Sequence, residues 1–414
     1  MTYGYQGYGR WWQDMGGILM PAMRLNFLQP FLDPRITFTR GSAATRINPS
    51  GLIELVSNDT PRFDYDPVTL APRGLLIEEA RTNLLTYSDD WSNAAWTKQQ
   101  VTISANATLS PDGTANADKI AEDNTTAFHR AFQTINKAAS AITYVYTVYV
   151  KAAERTTASV FIQDSGVFAQ TDINLVTGAL SNIVGTVSAT NAGNGWWRVS
   201  VSGTSGTTTT ALCMVASNNG GSFAGTTGSG IFVWGAQAEA ASFATSYIPT
   251  VASTVTRNAD VATMTGTNFS SWYNQSEGTM VADYDQILST SAQVKALFIA
   301  SDGTSNNRVY GYVSGSGGPT LLVTDAGVAQ ANPNNAAIAS GPAVKSAFAY
   351  KLNDFAVVTA GGAAATDASG TVPLTTNRLD IGCFGAGSQA NGHIRTIAYY
   401  NKRLSDTQLQ ALTR

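Results

Sequence analysis

The residues of this chain that could do acid–base chemistry are few. There are only two histidines, His129 and His393, and the conspicuous carboxylates come as the adjacent pairs Glu78-Glu79, Asp89-Asp90 and Glu122-Asp123. Glycoside cleavage needs two carboxylates about 5–9 Å apart, but neighbours on a strand point to opposite faces, and Glu122-Asp123 stands in a turn-like sequence. No nucleophile elbow, phosphate loop or zinc-ligand spacing occurs. The sequence therefore predicts no active site and no cofactor.

Aromatic residues beside polar ones suggest a different chemistry. Sugar rings stack on flat aromatic faces, and amide, imidazole and guanidinium groups at the edge hydrogen-bond their hydroxyls. The candidates for such a binding surface are Trp91, Trp96, His129, Arg130, Trp197, Arg198, Trp272, Tyr310, Tyr312 and Asn391. For each aromatic the alternative is a place in the core. The neighbouring rings of Trp196-Trp197 must diverge, so one can fill the core while the other faces out. His393 is interpreted as a structural hydrogen-bonder.

The composition indicates a β-protein. Only 13% of residues are charged and 38 are glycine, whereas about 25% charge is typical. Such a surface suits many short strands joined by tight turns. The net charge of −3 and the lack of a basic stripe argue against a nucleic-acid partner.

Alternating apolar and polar residues then place the strands. The clearest are Tyr144–Lys151, Trp196–Val201, Ile231–Trp234 and Gly278–Tyr284. Gln237–Glu239 is predicted as a short turn, and Ser405 is predicted to cap a final helix with Leu409 and Leu412 on one side. The predicted fold is all-β, with two consecutive antiparallel β-sandwich (jelly-roll) domains after an extended N-terminal segment.

The chain divides into four predicted parts. Residues 1–35 are an anchor peptide, because three Tyr, two Trp and five Gly in the first 17 positions cannot build a core alone; a disordered tail is the alternative. Residues 36–83 are an extended lead-in, residues 84–255 a first sandwich and residues 256–414 a second. No segment approaches the roughly 20 apolar residues of a membrane span or a signal peptide, so no membrane insertion is expected and the mature chain is expected to be the whole chain.

Two further features concern cysteine and metal. Cys213 and Cys383 lie in apolar strand-like runs and are interpreted as buried free thiols, with a disulfide between them as the alternative. A structural calcium ion is the one metal considered, with Asp112, Asp118 and Asp302 as candidate oxygen donors. No string approaches an EF-hand loop.

Several strings resemble segments of tailed-bacteriophage virion structural proteins. They are LDPRITFTR, PRFDYDPVT and GLLIEEARTNLL before the first sandwich, and IFVWGAQAEAASFATSYIPT with RNAD at its end. The stretches SDDWSNAAWTK, SPDGTANADKI and GNGWWRVSV are similar to a carbohydrate-binding-module-type jelly roll. The close GHIRTIAYYNKRLSDTQLQAL is similar to laminin-G-like, concanavalin A-like sandwiches.

The resemblance implies a virion surface protein (fibre, spike or decoration, of head or tail) without catalytic activity. It implies anchoring to other virion proteins through the N-terminal segment and binding of host-envelope polysaccharide through the sandwiches. It also implies a homo-oligomer, with a trimer favoured by analogy with phage fibres. The rival hypothesis is an architectural capsid or tail protein that binds no glycan. A polysaccharide hydrolase is less favoured.

Overall fold

A computed structural model of the chain describes residues 20–286, 294–337 and 341–414. Residues 1–19, which make up most of the predicted anchor peptide, lie outside the described residues. Before the first sandwich the strands are β1 (Met23–Asn26), β2 (Thr37–Thr39), β3 (Ala44–Ile47), β4 (Ile53–Val56), β5 (Arg62–Tyr65), β6 (Pro72–Ile77) and β7 (Arg81–Asn83).

The middle of the chain contributes the longest run of strands. They are β8 (Thr97–Gln99), β9 (Val101–Thr108), β10 (Ala117–Glu122), β11 (Thr126–Ala127), β12 (Arg130–Asn136), β13 (Thr143–Ala152), β14 (Thr157–Gln163), β15 (Val167–Asn174), β16 (Leu180–Val184), β17 (Thr186–Asn191), β18 (Trp196–Thr204), β19 (Thr210–Ser217), β20 (Phe223–Ala224) and β21 (Gly230–Glu239).

The remaining elements close the chain. They are β22 (Val255–Arg257), β23 (Val261–Thr265), α1 (Thr267–Ser270), β24 (Glu277–Gln286), β25 (Lys295–Ser301), β26 (Arg308–Val313), β27 (Pro319–Asp325), β28 (Val328–Ala331), β29 (Gly341–Lys351), β30 (Phe355–Thr359), β31 (Ala365–Asp367), β32 (Arg378–Ile381), β33 (Gly392–Tyr400) and α2 (Asp406–Thr413).

The first sandwich packs two six-stranded antiparallel sheets. The β13 sheet has the order β17-β18-β13-β21-β10-β9, and the β14 sheet has the order β16-β15-β14-β19-β12-β8. Alternate side chains of both sheets fill the core between them, as Tyr146 and Val148 of β13 do opposite Val160 and Ile162 of β14. The intervening residues of β13, Thr147 and Tyr149, therefore face away from this core.

The second sandwich recruits strands from both ends of the described chain. Its eight-stranded β24 sheet runs β31-β30-β29-β24-β33-β6-β5, with β1 also paired to β33, and its seven-stranded β25 sheet runs β2-β23-β32-β25-β26-β27-β28. The pairing of Met23 with Tyr399 is one example of this closure. Because β7 pairs with β22, the chain leaves the second sandwich and re-enters it through two adjacent strands, and the first sandwich lies between them in the sequence. It is an insertion in the sequence of its neighbour.

The all-β, antiparallel sandwich fold predicted from the sequence is confirmed. So is the final helix: Ser405 caps α2 in a capping box with Gln408, and Leu409 is buried against the β24 sheet. The predicted turn at Gln237–Glu239 is wrong, since β21 continues through Glu239. Both side chains are fully buried there and hydrogen-bond the segment that leaves the sandwich, Glu239 through the Thr245 hydroxyl and Gln237 through the Ile248 amide.

Two further observations bear on the sequence analysis. Cys213 and Cys383 are both free and buried. Burial raises the pKa of both thiols, that of Cys383 to about 12, so neither is a reactive thiolate. Within the described ranges no helix is long and apolar enough to cross a membrane.

Candidate functional site

A buried group of charges, here called the seam cluster, joins the two sandwiches. It consists of Arg40, Arg62, Glu78, Arg257 and Asp260, which are at most 5% exposed. Arg62 lies 2.7 Å from Glu78 and also pairs with Asp260. Arg257 lies 2.9 Å from Glu78, and Arg40 lies 3.1 Å from Asp260. The four strings LDPRITFTR, PRFDYDPVT, GLLIEEARTNLL and RNAD thus meet at one point in space.

The electrostatics of the seam cluster indicate a structural role, because its charges pair with one another. Burial alone would raise the pKa of Glu78, but Arg257 and Arg62 outweigh it and hold that pKa well below its usual range. Burial opposes the charge of Arg62 too, yet Asp260 and Glu78 raise its pKa. For both Arg62 and Glu78 the shift favours the charged form. A buried charge needs a partner, and each member has an ion-pair partner here, so among the described residues the cluster leaves no charge unneutralised.

A cleft opens beside the seam cluster, between the outward face of the β13 sheet and the strands β3 to β6. It consists of two cavities of about 310 and 260 Å³ that share Thr190, Arg198, Phe243 and Ala244 in their walls. We call the two together the inter-module cleft. Its larger part also touches the second sandwich, through Asn391 and His393. The cleft is thus a concave surface to which both sandwiches contribute.

The smaller part of the cleft has a floor of hydroxyl groups. Antiparallel pairing of β17 with β18 sets Thr190 opposite Arg198, Ser188 opposite Ser200, and Thr186 opposite Ser202. We call these three pairs the polar ladder. All six side chains lie on the outward face, since Val187, Ala189, Val199 and Val201 pack inward. Four residues along a strand span about 13 Å, which sets the length of the ladder.

Arg198 stands where the two cavities meet. One Nη donates to the Thr245 carbonyl at 2.6 Å and to the Thr147 hydroxyl at 3.4 Å. The guanidinium carbon lies 5.6 Å from the centre of the Tyr149 ring, in a cation–π contact. These contacts hold the half-buried side chain in place. Its Nε has no hydrogen-bond partner among the residues that the structure describes.

His393 forms part of the opposite wall. Its Nε2 lies 2.8 Å from a carboxylate oxygen of Asp64 on β5, and its Nδ1 lies 3.0 Å from Asp285 on β24. Burial lowers the pKa of His393, but the two carboxylates outweigh it and raise that pKa above its ordinary value. The His393 side chain therefore ties β5 of the lead-in to the second sandwich. The interpretation of His393 as a structural residue is consistent with this geometry.

Trp91 and Trp96 do not lie on a binding surface. They are 0% and 1% exposed, and their rings stack on each other at 3.7 Å in the core of the first sandwich. Their positions in SDDWSNAAWTK gave no strand register from which this burial could be read. As packed here neither ring can receive a sugar, and the prediction for both is corrected.

Trp197 and Trp196 diverge as expected, but neither presents an open ring. Trp197 faces the core side, half-buried, and its indole N–H donates to the Leu175 carbonyl at 3.0 Å. Gly178 closes over the ring: it adopts a φ of +75°, and a Cβ there would lie 2.2 Å from the indole. Trp196 takes the outward face, where the lead-in hairpin β3–β4 buries it completely.

The other first-sandwich candidates lie at one end of the β14 sheet. His129 is fully buried, with Nε2 3.1 Å from Asp123 and its ring against Phe223, so it cannot contact a ligand. Arg130 is half-buried beside the exposed Phe128, 5.1 Å from that ring's centre. Its candidacy stays a prediction, on a surface that does not line the cleft.

In the second sandwich the candidates separate. Trp272 is 8% exposed in the core, donates to the Asn268 carbonyl at 2.7 Å and packs on Tyr399, which corrects its prediction as a platform. Tyr310 and Tyr312 do meet, with ring centres 4.7 Å apart, outside the β25 sheet. Only Tyr312 is more than marginally exposed there, and neither residue lines the cleft.

Asn391 and Arg198 are the two candidates that the fold brings to one site. Asn391 lines the cleft, although its amide is occupied by Glu79, whose backbone N–H lies 2.9 Å from the Asn391 oxygen. Sequence reasoning missed the five hydroxyl residues of the ladder, Thr186, Ser188, Thr190, Ser200 and Ser202. The signal was present in part, because the period of two in WWRVSV puts Ser200 on the same face as Arg198.

The candidate calcium donors already accept hydrogen bonds from neighbouring groups of the protein. Asp112 accepts from the Ser110 and Thr114 hydroxyls, Asp118 from the Trp91 and Asn106 amides, and Asp302 from Thr304. Among the residues that the structure covers, no group of three or more His, Cys, Asp or Glu side chains is placed to hold a metal ion.

Comparison with known proteins gives only distant similarities. No family model and no curated protein matches the chain. Among solved structures, the CBM40 module of the Ruminococcus gnavus IT-sialidase is 18% identical over 36% of this chain and 88% of its own, with a TM-score of 0.30. A SAP-like pentraxin from Limulus polyphemus (12% identity, 33% and 70%, TM-score 0.24) and domains LG4-5 of the mouse laminin α1 chain (9%, 75% and 88%, 0.22) are also similar. At these TM-scores the similarities carry no argument about function.

Proposed function

We propose that this protein is a non-catalytic glycan-binding protein of a phage particle surface, and that the inter-module cleft is where the glycan binds. One observation carries the proposal. Three neighbouring pairs of side chains line a concave surface with five hydroxyls and a guanidinium; Ser202 is buried at the far end, and the other four hydroxyl residues are exposed or half-buried. The hydroxyls have no protein hydrogen-bond partner in the described residues. Hydroxyls that hydrogen-bonded each other would contribute only to stability. Hydroxyls without a protein partner can instead donate to and accept from a ligand that is itself rich in hydroxyls.

The phage assignment rests on the sequence strings that resemble virion proteins. Those strings supply the seam cluster, which fixes the two sandwiches to each other and so shapes the cleft. Anchoring by the N-terminal residues and assembly into an oligomer, with a trimer favoured, belong to the same proposal. Single glycan sites bind weakly, and several copies on one particle raise the avidity by about 10²–10⁴.

The test is binding of the purified protein to host-envelope polysaccharide by affinity electrophoresis. The double variant Ser188→Ala/Ser200→Ala removes one rung of the polar ladder without removing core contacts. Each net hydrogen bond contributes about 0.5–1.5 kcal/mol, so the affinity should fall by roughly 5- to 150-fold. The matched control Ser104→Ala/Ser181→Ala changes two exposed strand serines outside the cleft and should bind as the unaltered protein does.

Equal binding by the ladder variant and the control would contradict the proposed site. No binding by the unaltered protein, even when it is displayed in many copies on beads, would favour the architectural alternative. In that case the sandwiches would serve only to build the particle.

A further inference from the structure

We propose that the ligand of the inter-module cleft is an acidic saccharide whose carboxylate binds the guanidinium of Arg198. This inference rests on the proposed glycan binding and names the class of sugar. It follows from comparing the charged side chains that line the cleft.

All but one of these charges are already neutralised within the protein. Arg46 lies 3.0 Å from Glu54, Arg73 lies 2.8 Å from Asp285, and Glu78 is held by the seam cluster. His393 bridges two carboxylates, one of them Asp64. Arg198 is the exception among the lining residues. Its partners are a carbonyl and a hydroxyl, and no carboxylate of the described chain lies within ion-pair distance of it.

The guanidinium of Arg198 is half-buried and has only neutral partners, so its positive charge is not neutralised although it is partly removed from water. The planar fork of arginine matches a carboxylate in two parallel hydrogen bonds, which are stronger than those to neutral oxygens. The Thr245 carbonyl and the Tyr149 ring fix one side of the group, so little side-chain freedom is lost when a ligand binds the other. The cleft is thus prepared for an anion at this point.

The polar ladder extends the argument from an anion to an acidic sugar. Arg198 stands at one end of the ladder, and the pairs Ser188–Ser200 and Thr186–Ser202 continue away from it with uncharged hydroxyls. A ligand that satisfies the whole surface has a carboxylate at one position and neutral hydroxyls next to it. Sugars of this kind include hexuronates in a polymer and nonulosonates at a chain end, and both present the same group to Arg198.

The experiment is binding of the full chain, displayed in many copies, to a glycan array of matched pairs. Each pair compares an acid with its neutral counterpart: oligogalacturonate with its carboxyl-reduced form, and 3′-sialyllactose with lactose. The first pair tests the hexuronate source and the second the nonulosonate source. We expect binding to the acidic member of at least one pair, about 10- to 100-fold stronger than to its neutral counterpart, and weakened by salt.

Variants make the result specific to Arg198. Arg198→Gln should remove the preference for the acid, and Arg198→Lys should keep a weaker, more salt-sensitive part of it. Arg24→Gln removes the same charge from an exposed strand position outside the cleft and should leave binding unchanged. A thermal melt shows that each variant is folded.

The outcomes separate this inference from the proposed function. Equal binding of acidic and neutral members, or an unchanged acid preference in Arg198→Gln, would overturn the acidic class and leave glycan binding standing. No binding to any member of the array would overturn the proposal that the ligand is an acidic saccharide. Whether the protein binds glycans at all would then be decided by affinity electrophoresis with host-envelope polysaccharide and the Ser188→Ala/Ser200→Ala variant.

Discussion

Replacing Asp260 by asparagine should be among the most damaging single changes in the seam between the sandwiches. Asp260 is 0% exposed. Its carboxylate accepts from Arg40 at 3.1 Å, from Arg62, and from the backbone N–H of Glu78 at 2.8 Å. Asparagine keeps the shape but removes the charge. Arg62 then still has Glu78, whereas Arg40 is left in the interior without a carboxylate.

The expected cost is about 3–5 kcal/mol, the usual effect of removing one partner from a buried ion pair. For a unit of this size it corresponds to a fall in melting temperature of roughly 6–20 °C. Urea and thermal unfolding followed by tryptophan fluorescence would measure it. Solvent does not screen the pair, because both Arg40 and Asp260 side chains are fully buried.

The control is Glu54→Gln, which breaks the ion pair with Arg46. Glu54 is 42% exposed, and exposed pairs contribute at most about 1 kcal/mol. If Asp260→Asn costs no more than this control, the seam cluster does not hold the sandwiches together and the argument for a fixed cleft is refuted.

Three further predictions concern stability. The raised pKa of His393 means that its imidazolium stabilises the fold fully below the unfolded value of 6.5 and loses that effect as the pH rises through the folded-state pKa. In urea titrations the stability gap between the protein and His393→Gln should therefore shrink as the pH rises above 6.5, and a gap that stays constant would contradict this. Deleting residues 1–30 instead of residues 1–19 also removes β1 with the buried Met23 and Leu25, and the longer deletion should lower the free energy of unfolding by at least about 3 kcal/mol more than the shorter one. Equal melting temperatures of the two truncated proteins would show that β1 is dispensable. Trp91→Ala should lower the free energy of unfolding in urea by about 3–5 kcal/mol. A near-neutral effect would contradict the burial of Trp91 in the core.

The parts of the fold that the sequence predicts are those set by local pattern. The alternation in TYVYTVYVK predicts β13, and Ser405 with Gln408 predicts the start of α2, because both signals lie within a few residues. The insertion of the first sandwich was not predictable in this way. It depends on pairing Met23 with Tyr399 and Arg81 with Arg257, and no local periodicity reports contacts so far apart.

The same reasoning explains which site residues the sequence predicts and which it does not. Arg198 was identified because a cation beside strand aromatics suggests a binding edge. The tryptophans were overvalued because register decides which face a ring takes, and the buried faces of Trp196 and Trp197 are covered by β3–β4 and by the turn at Gly178. The hydroxyls of β17 and β18 carry no distinctive motif, and only the antiparallel pairing aligns them.

Hydrogen–deuterium exchange of the full chain with and without host-envelope polysaccharide tests the central claim most directly. If the inter-module cleft binds the glycan, amides of β17, β18 and the segment around Phe243 should exchange more slowly in its presence, and this protection should disappear in Ser188→Ala/Ser200→Ala. Protection that is absent from these strands and instead lies around Tyr310 and Tyr312, or around Arg130, would contradict the account and move the binding site to that surface.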